Sequence, residues 1–228
     1  MFTNMIPNLG KVLSRYWALF LQGMGYTLLL SAIAVLGGTL FGSLLALMRR
    51  SKITVVRGLA TGYVEVVRGT PLLLQLYFFY FMLPDLLKAL SLPEPSKFAS
   101  IVIALVFNSA AYVCEIVRAG IQAVDSGQME AARTLGLNSR QAMVRIVLPQ
   151  AVKNILPALA NEFVSVIKET SLAATFFVGD LMTQYNVIRG NMFLVIEPLI
   201  IVGVVYFLLT FTLSKGIARL ERRLKASD

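Results

Sequence analysis

The sequence contains no histidine and one cysteine, Cys114, in 228 residues. Without histidine, the commonest general base and the commonest metal ligand are both missing. A single thiol inside an apolar run excludes an internal disulfide and argues against redox chemistry. Charge is scarce as well: 14% of residues are charged, against about a quarter in soluble domains. No segment has the form G-x-x-x-x-G-K-[ST] of a phosphate-binding loop, so the chain cannot hold ATP in that way. No metal-ligand cluster or nucleophile–base pair stands out. Hence no catalytic residue and no metal ligand is expected.

What the sequence has is apolar length. Hydrophobic residues make up 57% of it, in runs too long for the core helices of one small soluble domain. Five segments are long enough to cross a bilayer, near Leu21–Met48, Leu59–Leu83, Phe98–Val117, Ile155–Val178 and Phe193–Ser214. The formal net charge of +9 sits mostly at the ends of these segments, without an aromatic-interleaved basic stripe, so nucleic acid is not an expected partner. Arg49, Arg50, Lys52 and Arg57 follow the first span. Arg118, Arg133, Arg140, Arg145 and Lys153 follow the third, and Lys215, Arg219, Arg222, Arg223 and Lys225 fill the tail. The positive-inside rule places these stretches in the cytoplasm and the N-terminus outside. Lys11 and Arg15 oppose that orientation mildly, and an interfacial helix at Pro7–Leu19 would ease the conflict. No short apolar region followed by a small-residue cleavage site opens the chain, so no cleavable signal is expected. The expected organisation is an N-terminal interfacial or extracytoplasmic segment over residues 1–20, a membrane domain over 21–216 and a cytoplasmic tail over 217–228.

Ala34, Gly38, Gly42 and Ala46 recur at steps of four in the first span. Small residues at that spacing form a seam for close helix packing, within the chain or against a second copy. The stretch from Asp125 to Lys153 is too polar to span and too ordered for a linker. Gln128 to Leu135 reads as a helix that Gly136 ends in the left-handed conformation. Asn138 and Gln141 have the spacing of a capping box for a second helix, running to Leu148 and stopped by Pro149. Met143, Ile146 and Val147 form an apolar stripe on it. This is either a knob for a groove on another protein or a hairpin lying on the membrane surface.

Glu130-Ala131-Ala132, Gly136, Ile146 and Leu148-Pro149 fall at the spacing of the EAA loop of ABC importer permeases. Three further matches follow the same order along the chain. They are Arg68-Gly69-Thr70-Pro71-Leu72, Asn108-Ser109-Ala110-Ala111-Tyr112 with Glu115, Arg118, Ala119 and Gly120, and Lys168-Glu169-Thr170-Ser171-Leu172. Together they resemble the polar amino acid permease family, the histidine, arginine and glutamine uptake type, from about Leu21 to Leu224.

The resemblance implies an all-α membrane protein with five transmembrane helices, the type I ABC importer transmembrane domain. Its cytoplasmic helix-turn-helix coupling loop would span residues 125–149. It implies a bacterial inner-membrane location and assembly with a second permease subunit, identical or similar. A dimer of ABC ATPase subunits and an extracytoplasmic amino acid-binding protein would complete the importer. No cofactor would bind this chain directly; ATP and Mg would belong to the ATPase subunits. Glu130, Ala131, Ala132, Gly136, Ile146, Leu148 and Pro149 would transmit the motion of that ATPase pair.

Polar groups within spans are costly and mark functional positions. The candidate substrate-binding residues are Thr70, Gln75, Asn108, Tyr112, Glu115, Glu169, Thr170 and Ser171. An amino acid's carboxylate needs donors such as Thr70, Gln75 or N–H groups freed near Pro71, and its ammonium needs acceptors such as Glu115 or Glu169. Glu115 with Arg118, and Glu65 with Arg68, are alternatively i,i+3 pairs that neutralise each other. Glu115, Glu162 and Glu169 against Lys168 tilt the expected substrate towards a basic amino acid, with glutamine next. Alternatively, the binding protein alone selects and the spans form a passage. The rival functional class is an ion-coupled secondary transporter or channel working without an ATPase. It would predict inverted repeats, which the two halves do not show.

Overall fold

The structure is a computed structural model describing residues 5–225. Residues 1–4 of the expected N-terminal segment and 226–228 of the expected tail lie outside the described residues. Among the described residues the chain is helical, without strands. The early helices are α1 (Met5–Arg49), α2 (Thr54–Gly69), α3 (Leu72–Ala89) and α4 (Lys97–Gln122). The short α5 (Ser126–Thr134) and α6 (Ser139–Ala142) follow. A π-helical turn (Met143–Val147) leads into α7 (Leu148–Glu169), and a 3-10 stretch (Thr170–Phe176) precedes α8 (Leu181–Met192) and α9 (Ile196–Lys225). Five runs are long and apolar enough to cross a membrane: Met5–Arg49, Leu72–Ala89, Lys97–Gln122, Ser139–Phe176 and Ile196–Leu224.

Three expectations need correction. The separate interfacial helix at Pro7–Leu19 does not form, because α1 is one helix of 45 residues. Pro7 falls in its first turn, where no N–H partner is needed. At 1.5 Å per residue α1 is about 67 Å long, roughly twice the hydrocarbon thickness. The expected second span, Leu59–Leu83, is broken in the middle. Thr70 (φ −120°, ψ 145°) and Pro71 (φ −62°, ψ 137°) are extended, because proline disfavours helical backbone at the residue before it. Only Leu72–Ala89 qualifies as a span, and α2 is a separate helix. Pro149, expected to end a helix, is instead carried inside one continuous helical run. The Leu148 N–H bonds back to Met143 O in the π-helical turn. That wider turn accommodates a residue that can neither donate nor pack against the carbonyl four residues back.

The chain forms two compact units. The first comprises residues 5–34, 71–105 and 164–213 among those described. Val12 and Phe20 of α1 are buried with Leu181, Tyr185 and Ile188 of α8 and Val202 of α9. The Leu181 N–H donates to Thr27 Oγ1 at 3.1 Å, and Asn8 Nδ2 donates to Glu197 Oε1 at 3.0 Å. Tyr77 and Tyr80 of α3 pack on Phe176, with ring centroids 4.9 and 4.6 Å away. Asp180 caps α8, accepting from the Met182 and Thr183 N–H groups.

The second unit holds residues 35–70, 106–163 and 214–225 among those described. Ala46, Val64 and Cys114 form its buried centre, flanked by Leu45, Tyr63 and Val117. Tyr63 donates its hydroxyl to Phe107 O at 2.6 Å. The small-residue seam of α1 packs within the chain, against α4. A Cβ on Gly42 would lie 2.6 Å from Ala110 O and 2.9 Å from Cys114 N. These are backbone atoms that cannot yield. A Cβ on Gly58 meets nothing within 4 Å. Gly42→Ala should therefore lower stability by about 1–3 kcal/mol through overpacking, while Gly58→Ala should not destabilise. Unfolding of both variants in detergent micelles measures this, and equal effects would refute the tight α1–α4 approach.

Candidate functional site

The segment expected to meet a partner is two short helices around a fixed bend. Asp125 caps α5, accepting from the Gly127 N–H. Gly136 has φ +90°. The Leu137 N–H reaches Ala132 O at 3.1 Å and the Gly136 N–H reaches Arg133 O at 3.0 Å, the two bonds of a Schellman turn. The Gln141 N–H donates to Asn138 Oδ1 at 2.9 Å, and the Asn138 N–H to Gln141 Oε1 at 3.0 Å, completing the capping box. Gln150 Nε2 donates to Gln128 Oε1 at 3.2 Å, tying α7 to α5.

The expected apolar stripe turns inward rather than outward. Val147 is buried, and Met143 and Ile146 are half-buried, because the π-helical turn is packed against α5. Leu135, 84% exposed, and Val144 are the large apolar residues left on the outside. Glu130, Ala131, Gly136 and Pro149 are exposed, Leu148 is half-buried, and Ala132 is buried.

The second unit also gathers charge. Glu115 of α4 accepts from Arg49 at the end of α1 and from Arg118 one turn on, the latter through Nε at 2.9 Å and Nη2 at 2.6 Å. Arg68 of α2 stands 3.8 Å away, with its guanidinium 5.7 Å from the Tyr112 ring centroid. Arg68 thus turns to Glu115, not to Glu65. Beside this cluster opens a cavity of about 550 Å³, whose lining includes Arg68, Tyr112, Glu115, Asn154 and Glu162. Glu162 also accepts from Ser109 Oγ at 3.4 Å. The cavity brings together two of the expected substrate residues, Tyr112 and Glu115. It adds Arg68, Asn154 and Glu162, which the motif reading left outside its candidate set. Of these, Arg68 carried a signal as part of a family-matching stretch and Glu162 as an intramembrane carboxylate, whereas Asn154 carried none.

Asn108, in the same unit, is buried. Thr70 Oγ1 donates back to Val66 O at 2.9 Å, closing the end of α2. In the first unit, Gln75 is buried and Glu169 is half-buried. Thr170 and Ser171 donate to Ile167 O at 2.8 Å and Lys168 O at 2.6 Å, stabilising the 3-10 stretch. Thr70, expected as a carboxylate donor, and the candidates Thr170 and Ser171 thus each donate a hydroxyl to a backbone carbonyl. Of Lys168 and Glu169, it is Lys168 that lines a cavity of about 370 Å³, with Ser171 and Tyr206.

A carboxylate holding arginines in a half-buried site is hard to remove, because the cations then face one another. Glu115→Gln should cost about 1–3 kcal/mol. Adding Arg49→Gln should restore part of that loss, giving coupling of about 0.5–3 kcal/mol. A double-mutant cycle of unfolding in micelles measures it, and strict additivity would refute the cluster.

The family described as binding-protein-dependent transport system inner membrane component matches residues 38–226. The probable glutamine ABC transporter permease protein GlnM of Bacillus subtilis is 38% identical over 217 residues, 95% of this chain and 98% of the relative. The arginine transport system permease protein ArtQ of the same organism is 39% identical over 208 residues, 91% and 93% of the two chains. Among solved structures, the crystal structure of an amino acid ABC transporter with histidines superposes with a TM-score of 0.86 at 44% identity. That match covers 92% of this chain and 96% of the other. On these matches and its five membrane-crossing helices, the chain belongs to the binding-protein-dependent inner membrane components, as an amino acid ABC importer permease of the type I fold.

Proposed function

We propose that the chain is the translocating subunit of a polar amino acid importer whose ATP and Mg are held by separate ATPase subunits. Two permease subunits, identical or similar, would pair across the membrane, fed by an extracytoplasmic amino acid-binding protein. Residues 21–216 would form the membrane domain, with the N-terminus outside and the tail cytoplasmic. The observation that carries this reading is the bend between α5 and α6. It is fixed by a Schellman turn and a capping box, and it presents Leu135 at 84% exposure. A rigid, exposed elbow can pass a partner's closure into the spans as a rigid-body movement. Glu130, exposed on α5, would meet a basic residue of the ATPase.

For the substrate, the cavity beside Arg68 and Glu162 supports a zwitterion. Arg68 offers donors to the α-carboxylate, Glu162 accepts from the ammonium, and about 550 Å³ lies within the usual range for a small-molecule site. Three intramembrane glutamates favoured a basic substrate. Arg49 and Arg118 on Glu115 take one of the three out of that count. With Arg68 added, the local excess is positive and disfavours a cationic side chain. The geometry therefore supports an amide side chain, glutamine, ahead of arginine, reversing the order suggested by composition. GlnM and ArtQ, named for these two substrates, are almost equally similar.

The test is a substrate-stimulated ATPase panel on the reconstituted complex with its cognate binding protein. Glutamine should stimulate most, and maximal stimulation by arginine would overturn the substrate order. A chain that transports in liposomes without ATPase or ATP would overturn the whole reading. Glu162→Gln should raise the half-stimulating substrate concentration about tenfold or more, the usual effect of a lost charged hydrogen bond. Gly136→Pro forbids φ +90° and removes the N–H given to Arg133 O, strain of about 1–3 kcal/mol. It should weaken ATPase docking about tenfold or more while leaving membrane insertion intact, and unchanged coupled uptake would refute the docking role.

A further inference from the structure

A second cavity lies in the same unit, where two membrane-spanning helices end. The Arg49 end of α1, part of α2 and the Gln122 end of α4 enclose about 440 Å³. Its floor is apolar, with Leu47 and Ile121 among its residues, and its rim carries Arg49, Arg50, Arg57 and Arg118. Arg49 and Arg118 are engaged with Glu115. Among the described residues, Arg50 and Arg57 pair with no carboxylate. Arg50 and Arg57 thus add two positive charges to a rim whose other two guanidinium groups already share Glu115. The planar guanidinium fork matches phosphate oxygens two at a time.

The apolar part of the cavity indicates what carries the anion. Leu40, Leu44 and Leu47 of α1 are exposed and lie on one face, at steps of four and three. That stripe runs directly into the cavity through Leu47. Both α1 and α4 end here after lengths sufficient to cross the hydrocarbon. Basic residues at the ends of spanning helices suit the level of the lipid phosphates, and the leucines before them that of the chains. We propose that this cavity binds an anionic phospholipid, its phosphate between Arg50 and Arg57 and one acyl chain along Leu40, Leu44 and Leu47. The site is separate from the substrate cavity, which opens beside Tyr112 and Glu162, and does not depend on which amino acid is carried.

The purified full chain in detergent, titrated with phosphatidylglycerol or phosphatidylcholine and followed by native mass spectrometry, tests this. Phosphatidylglycerol adducts should form at lower lipid concentration than phosphatidylcholine adducts. R50Q/R57Q should raise the half-saturating phosphatidylglycerol concentration about 30-fold, roughly fivefold for each basic residue at a membrane surface. Phosphatidylcholine adducts should be unchanged, and R50K/R57K should retain most of the preference. Equal binding of the two lipids by the native chain would overturn the proposal without recourse to a variant, as would unchanged phosphatidylglycerol binding by R50Q/R57Q. Displacement of the lipid by inorganic phosphate at equal concentration would identify a free-anion site and overturn the lipid assignment.

Discussion

Glu115 of α4 holds Arg49 from the end of α1 and Arg118 from its own next turn, with Arg68 of α2 at 3.8 Å. One carboxylate thus fixes the ends of helices that apolar packing alone would leave free to slide. Membrane helices gain little from burying apolar surface against one another, since lipid tails are as apolar as leucine. Register has to come from close approach and from polar contacts. Gly38 and Gly42 supply the approach, bringing α1 onto Ser109, Ala110 and Cys114 of α4. The charge cluster supplies the register at the Arg49 end of the same helix.

This arrangement bears on both cavities of the unit. On one side of α4, Glu115 faces the space lined by Tyr112 and Glu162. On the other, the same Arg49 and Arg118 turn towards Arg50 and Arg57. Glu115, expected as an ammonium acceptor or as the i,i+3 partner of Arg118, holds cations that face two different surroundings. Its lone pairs are spent on guanidinium groups.

Much of the fold was legible in the sequence because its signals are local. Gly136 and the Asn138–Gln141 pair specify their turns within a few residues, and both caps form as their chemistry dictates. The five apolar runs were legible for the same reason. The misreadings all involve a context that changes what a local signal means. Pro71 does break a helix, yet the break falls inside what hydropathy joins as one span. Pro149 does not, because the π-helical turn before it opens the ladder where the proline cannot donate. The N-terminal stretch joins α1 because Val12 and Phe20 find Leu181, Ile188 and Val202, partners more than a hundred residues away. No periodicity in the first turns could reveal that.

The site was less legible than the fold, and for a related reason. Thr70, Thr170 and Ser171 are hydroxyls beside a helix end or a 3-10 stretch, the positions where such side chains bond back to carbonyls three or four residues earlier. Motif spacing marks these positions without saying whether the hydroxyl faces a ligand or closes its own helix. Charge balance has the same blind spot. Counting glutamates in spans favours a cation, but the count is decided by which glutamates already hold arginines. Arg49 and Glu115 are 66 positions apart, beyond the reach of any i,i+3 or i,i+4 rule. The charge that the spans present to a cavity is therefore set less by which ionisable residues they contain than by how tertiary pairing joins them.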